Sequence, residues 1–153
     1  MTIGLISDTH GYVGKDVIEA LQGVDHILHA GDVGSSSVIL ELEAICPVTA
    51  VLGNTDYDPG LREFEVETLN DQRFYLQHIV DPKALSQELR ERTGRIKPDF
   101  VIYGHTHRQH ASIENGTHFI NPGYAGRPKS GQKRTITLLD VQGNPQIVPL
   151  SSV

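Results

Sequence analysis

Ile3-Gly4-Leu5-Ile6-Ser7-Asp8-Thr9-His10 decides the reading of this chain. A short aliphatic run stops at an aspartate and a histidine. The pattern recurs. Ile27-Leu28-His29-Ala30 runs into Gly31-Asp32, and Val48-Thr49-Ala50-Val51-Leu52 into Gly53-Asn54-Thr55-Asp56. Phe74-Tyr75-Leu76-Gln77 runs into His78, and Phe100-Val101-Ile102-Tyr103 into Gly104-His105-Thr106-His107. Each run reads as a strand ended by a residue able to bind a metal ion. Open α/β sheets bring such strand ends to one rim, which is where they place their sites. Asp8, His10, Asp32, Asn54, His78, His105 and His107 would then converge. Oxygen and imidazole donors in that number suit a pair of divalent ions, and a metal pair suits phosphoryl chemistry.

Outward from the first run, the chain alternates. Residues 2–7 predict a buried strand. Apolar residues at Val13, Val17, Ile18 and Leu21 predict a helix over 13–22, stopped by Gly23. A second strand is expected at 25–30 and a helix at 35–44, where serines can supply the N-cap. Pro47 forces the chain out of that helix into a third strand at 48–52. Alternation of this kind implies parallel strands covered by helices. The later part reads as β. Segments 63–69 and 72–79 flank Asn70-Asp71 as a hairpin. Pro82 to Arg92 predicts a helix with Pro82 in its first turn. Asn115-Gly116 between 111–114 and 117–121 is a type I′ hairpin signal, and 135–141 and 146–150 form a last strand pair. Two sheets packed face to face with helices outside accommodate these elements.

The chain has 153 residues, 38% of them apolar, and no long linker, repeat or low-complexity segment. That predicts one domain over 1–153 with a core of its own. Net charge is -6, from 13 basic and 19 acidic residues, so the footprint of a duplex-DNA binder is absent. The single cysteine, Cys46, excludes an intrachain disulfide and a Cys-rich zinc cluster. The first residues lack a basic segment followed by an apolar stretch, and the apolar runs are too short to span a bilayer. A cytoplasmic setting without membrane attachment is therefore expected. The composition neither requires nor forbids a homo-oligomer.

Each piece alone also has a structural reading. Asp8 and His10 stand two apart in an extended segment and can address one ion, but such a pair also occurs on ordinary surfaces. Asp32 can bridge two ions through its two oxygens or cap the helix that follows. Asn54 and Asp56 can serve a ligand or close a turn. His78 can be a satisfied strand-end residue. His29 can orient the site or be a buried structural histidine.

Order and strand-end placement turn these pieces into a resemblance. Ser7-Asp8-Thr9-His10-Gly11, Gly31-Asp32, Gly53-Asn54-Thr55-Asp56, His78, Gly104-His105-Thr106-His107 and Asn121-Pro122-Gly123 resemble the motifs of the calcineurin-like metallophosphoesterase superfamily. The likeness is to its small bacterial and archaeal phosphodiesterases. It implies an α/β fold, a four-layer α/β/β/α sandwich with two packed mixed β-sheets. It implies that one ion takes Asp8, His10 and His107, that the other takes Asn54, His78 and His105, and that Asp32 bridges them. Asp32 and Asn54 are then expected to act in catalysis, Asn54 by touching a phosphoryl oxygen. Manganese is the first choice of metal, with iron, nickel or zinc compatible with the donor set. The implied reaction is attack on phosphorus by a hydroxide bridging two divalent ions, with a small phosphate ester as substrate.

Three positions depart from the pattern. Thr55 stands where many relatives have a histidine that assists the leaving group. Ile79 stands where a glycine is usual, and a larger side chain there narrows the cleft or alters the loop. Tyr124 replaces a serine and either faces substrate or packs. Arg127 either helps to bind an anion or is a solvated loop cation. Diesters are favoured over monoesters, because no dedicated cationic phosphate cage is evident and the chain resembles the diesterase branch. The rival readings are a non-catalytic interaction scaffold, as in a retromer subunit of the same fold, and a metal-dependent nuclease.

Overall fold

Alternating side chains along Ile3–Ile6 explain the layering. Ile3 and Leu5 join one buried cluster and Ile6 joins another on the opposite face, as a strand covered on both sides requires. The computed structural model describes residues 1–152. Its elements are β1 (Ile3–Ile6), α1 (Lys15–Ala20), β2 (His26–His29), α2 (Ser36–Glu43), β3 (Val48–Ala50), β4 (Phe64–Leu69), β5 (Gln72–Gln77), α3 (Gln87–Ile96), β6 (Phe100–Ile102), β7 (His110–Glu114), β8 (Thr117–Asn121), β9 (Thr135–Leu139) and β10 (Pro145–Pro149).

Two five-stranded mixed sheets result, in the orders β10-β9-β1-β2-β3 and β4-β5-β6-β8-β7. The first sheet is parallel from β1 through β2 to its β3 edge and antiparallel on the β9–β10 side, and the second is parallel at its centre, β5–β6–β8, with antiparallel β4 and β7 at its edges. Leu5, Leu28, Phe74, Leu76, Phe100 and Ile120 fill the space between the sheets. Val17 of α1, Leu21 just after it, and Val38 and Leu42 of α2 cover the outer face of the first sheet. Leu89 and Ile96 of α3 cover Tyr75, Val101 and Phe119 on the outer face of the second. The order of layers is α/β/β/α, as expected.

The hairpin turns follow their sequence signals. Asn70, Asp71, Asn115 and Gly116 all have positive φ, which is what a type I′ turn demands. The third helix departs from expectation: it runs over Gln87–Ile96 and not over 82–92. Lys83 and Ala84 donate backbone N–H groups to Asp81 in a turn, and the Ser86 hydroxyl caps the helix by accepting from Leu89 N. Gly94 lies on the exposed face inside the helix, and the helix ends at Lys97 in the left-handed conformation. The first helix is also shorter than its apolar periodicity, beginning at Lys15.

Candidate metal centre

The central parallel strands end at one edge of the sandwich, and their loops stay in register after the strands stop. Asp8 N donates to Gly31 O, His10 N to Asp32 O and Gly11 N to Val33 O, at 3.0, 2.9 and 2.7 Å. In the second sheet Gly104 N donates to His78 O at 2.9 Å. These loops hold Asp8, His10, Asp32, His105 and His107 at positive φ. Asp and His enter that region more readily than most residues, yet each such residue still costs roughly 1–3 kcal/mol of strain. The remaining positive-φ residues other than glycine are three in hairpin turns and Lys97 at a helix end. Backbone strain is thus concentrated on five of the seven candidate ligands.

Close approach of the two sheets requires glycine at two points. A Cβ on Gly104 would collide with Ser7 Oγ and lie 2.7 Å from Asp8 Oδ2, and one on Gly31 would lie 2.7 Å from His78 Nδ1. A side chain at either place would push the strand ends apart.

The floor of the site is Asp8, Asp32 and His78, each no more than 2% exposed. His78 Nδ1 is 2.8 Å from Ala30 O. It must carry the hydrogen, which leaves Nε2 with a free lone pair. That Nε2 lies 3.2 Å from Asp32 Oδ2 and 3.8 Å from Asp8 Oδ1. Among the described residues, Asp8 Oδ1 and His78 Nε2 are buried side-chain atoms with no hydrogen-bond partner. Buried lone pairs facing one another without a donor are costly; they are what a bound cation satisfies.

His10 and His107 reach the same point from above. Asp8 Oδ1, His10 Nε2 and His107 Nε2 form a triangle with sides of 3.7, 3.4 and 3.4 Å. An ion about 2.1 Å from each of its ligands sets tetrahedral neighbours about 3.4 Å apart, so the donor set fits a divalent transition metal. Asp8, Asp32 and His78 form a second cluster of metal-ligating type. Asp8 stands in both. Asn54 and His105 stand in neither: the Asn54 side chain is exposed, and its Oδ1 is 3.1 Å from His105 Nδ1. The His105 ring meets the His78 ring edge-on at 5.4 Å.

The two aspartates differ electrostatically. Burial pushes the Asp8 carboxyl above its ordinary range, and the nearby His78, the Ser7 hydroxyl, His107 and His105 N–H oppose it only in part. At Asp32 burial pushes the same way, but hydrogen bonds from Thr55, together with His78 and His10, prevail and hold the carboxyl below its ordinary value. Thr55 N donates to Asp32 Oδ1 at 2.9 Å, leaving Oδ2 directed at His78. Partial burial lowers His107, against the pull of Asp8, and favours the neutral ring that binds metals.

A supporting layer fixes these groups. The Ser7 hydroxyl donates to Asp8 Oδ2 and His105 N–H donates to the same oxygen, which ties the two sheets together. Gly31 N–H donates to His29 Nδ1, so His29 Nε2–H donates to Thr9 Oγ1, which donates to Val33 O. Burial drives His29 down to about 3, and it stays neutral. Asp56 closes its own turn by accepting from Gly53 N and also accepts from Val33 N and Gly34 N. It therefore joins the Asn54 loop to the Asp32 loop. Asn121 donates to Gly104 O and Thr106 Oγ1. Tyr124 is buried, its ring 4.8 Å from His107 and 6.3 Å from His10, and it packs against both imidazoles. Ile79 is half exposed beside Asn54 and His78. Of these supports, Asn121 carried a sequence signal in its Asn-Pro-Gly motif. Asp56 was legible as a turn residue and Tyr124 as a packing candidate, but their partners, Val33 and Gly34 for the one and His107 and His10 for the other, carried no signal because they lie far off in the chain.

A family model described as the calcineurin-like phosphoesterase superfamily domain matches residues 1–144. A protein of Methanothermobacter thermautotrophicus described as a probable metallophosphoesterase is 36% identical over 140 residues, which are 84% of this chain and 80% of that one. The solved structure of an archaeal phosphodiesterase superposes with a TM-score of 0.82 at 26% identity, covering 98% of this chain and 100% of the other. Wild-type Vps29 of Entamoeba histolytica, solved in complex with Zn2+, gives a TM-score of 0.78 at 20% identity, covering 99% and 100%. At that identity the likeness is one of fold.

Proposed function

The chain belongs to the calcineurin-like phosphoesterase superfamily, and from that premise we propose that it hydrolyses phosphodiesters at a centre of two divalent ions. Asp8, His10 and His107 would hold one ion, and Asn54, His78 and His105 the other, with Asp32 shared between them; Asp8 belongs to both clusters of metal-ligating type. The observation that carries the reading is the pair of buried, unpartnered atoms Asp8 Oδ1 and His78 Nε2 at the convergence of the strand ends.

A bound pair of divalent ions supplies water activated near neutral pH and neutralises charge on phosphoryl oxygens. The residues of the chain do the rest. His78 is held as the Nδ1–H tautomer by Ala30 O. Asp32 is oriented by Thr55 N–H. Asn54, on an exposed loop, can offer its amide N–H to a phosphoryl oxygen. Thr55 supplies no imidazole for the leaving group, which favours esters whose alcohol leaves unaided, such as aryl diesters.

The test is turnover by metal-free protein after separate addition of Mn2+, Fe2+, Ni2+ and Zn2+. Bis(4-nitrophenyl) phosphate is expected to be cleaved with at least one metal, and faster than 4-nitrophenyl phosphate. Folded, metal-loaded protein inert toward both esters in every metal would overturn the proposal. It would leave a non-catalytic interaction scaffold, since fold alone does not establish catalysis. Metal binding does not separate the two readings; turnover does.

A further inference from the structure

The two flanks of the site carry opposite charge. On the Asn54 side, Asp56 and Asp58 line one cleft with Thr55 and Tyr57, and Glu63 lines another with Asn54, His78 and Ile79. Neither cleft is lined by a cation. On the His107 side, a cavity of about 740 Å³ is lined by His107, Arg108, Gln132 and Lys133, with no carboxylate among its lining residues. Nearby on the same loop as Lys133, Lys129 Nζ lies 4.8 Å from the centre of the Tyr124 ring, which packs against His107.

The loop bearing Lys129 and Lys133 is fastened to the site. Gln132 Nε2 donates to His107 O at 2.8 Å, and the Tyr124 hydroxyl donates to Arg127 O at 2.9 Å. The buried Arg134 closes the base of the loop by donating to Gly126 O. The two lysines are thus presented on an anchored segment beside a ligand, in a chain that is acidic overall.

We propose that the His107 flank, through Arg108, Lys129 and Lys133, receives a second phosphate carried by the substrate one linker beyond the scissile diester. This deepens the phosphodiesterase reading and rests on it. Lys129 reaches the site over the Tyr124 ring that packs on His107, and Arg108 and Lys133 line the cavity beside His107, a placement that suits an anion next to the scissile group. Lysine and arginine donors on a dianion form charge-assisted hydrogen bonds, while the acidic clefts opposite repel one. The charge asymmetry therefore sets the direction in which the substrate lies.

Three aryl diesters with one leaving group test this in the metal-loaded full chain: 4-nitrophenyl ethyl phosphate, the same ester with a phosphate on the ethyl arm, and 4-nitrophenyl phosphorylcholine. The phosphorylated arm is expected to raise kcat/KM about tenfold over ethyl, in keeping with hydrogen bonds to charged groups, and the choline arm to lower it. The preference should shrink as salt rises. Arg108→Gln combined with Lys129→Gln should bring the ratio of phosphorylated to ethyl ester close to 1. Arg95→Gln, which removes a charge from the exposed surface of α3, should leave that ratio unchanged. Equal kcat/KM for all three esters, or a preference that survives the double variant, would overturn the charged-flank inference while the phosphodiesterase reading stands. Hydrolysis of none of them would instead overturn the phosphodiesterase reading.

Discussion

The floor and the rim of the centre are built on different principles. Asp8, Asp32 and His78 are sealed from water at the ends of central strands, and two of their lone-pair atoms have no partner in the protein. His10 and His107 are partly exposed, with about a third of each side chain accessible, and Asn54 is on an open loop. The floor sacrifices stability for a desolvated anionic point that only a cation satisfies. The rim keeps its groups accessible to a substrate. The difference predicts that floor substitutions abolish the centre, whereas rim substitutions divide it.

Asp32→Asn should have the largest effect. The amide oxygen can still accept from Thr55 N–H, so the loop survives, but an NH2 group replaces the carboxylate oxygen that faces His78. Activity should fall by more than about a hundredfold, beyond the range for groups that merely orient ligands. Bound metal should fall with it while the circular dichroism spectrum is unchanged. A variant that kept two ions and near-normal turnover would remove Asp32 from its shared position.

The rim histidines should show the division. His107 points at Asp8 and His10, whereas His105 pairs with Asn54 and abuts His78. Each single change to Ala should cost about ten- to a hundredfold in activity, on the scale of weakened metal sites, and leave close to one ion per chain. The ion lost should differ between the two variants, as anomalous scattering from metal-loaded crystals can show. Both variants losing the same ion would break the assignment.

The convergence of these residues was legible because strands end abruptly. A β run stopped by Asp, Asn or His marks both a strand end and a candidate donor, and the parallel topology carries five such stops to one edge. Asn70-Asp71 and Asn115-Gly116 were legible for a similar local reason, since they suit consecutive positive-φ positions. The third helix was misplaced because Pro82 and Gly94 are strong signals whose context decides them. The Ser86 cap and the Asp81 turn outweighed both. Contacts between distant segments had no local signature. Asp56 bonding to Val33 and Gly34, Tyr124 packing on His107 and Lys129 standing over Tyr124 emerge only once the chain is folded.

Asp56 tests whether floor and rim are mechanically joined. Its carboxylate gathers N–H groups from the Asp32 loop and the Asn54 loop. Asp56→Ala strands three donors and should destabilise the protein by about 1–3 kcal/mol, with about a tenfold loss of activity through misplaced loops. Asp56→Asn, which retains an acceptor oxygen, should recover part of both. Normal kinetics in the alanine variant would show that the two halves are positioned independently.

The smallest effect concerns the anchor of the cationic loop. Asp16 Oδ2 accepts from the buried Arg134 guanidinium at 2.7 Å and from Ser151 N and Oγ. Partial burial pushes its carboxyl up, but Arg134 and the Ser151 hydrogen bonds prevail and bring it from the ordinary 3.8 to about 2. A depressed carboxylate stabilises the fold fully above its unfolded value and ceases to do so as pH falls through the folded value. Asp16 keeps 23% of its side chain accessible, and solvent screening reduces the contribution to about 1 kcal/mol. Urea unfolding should show Asp16→Asn less stable by that amount at pH 6, with the gap closing between about pH 4 and pH 2. Both proteins are compared metal-free. A gap that widened on acidification would mean that Arg134 does not depend on the Asp16 charge. The Arg134 guanidinium would then be held by its bonds to Gly126 O, Ala125 O and Ser151 O.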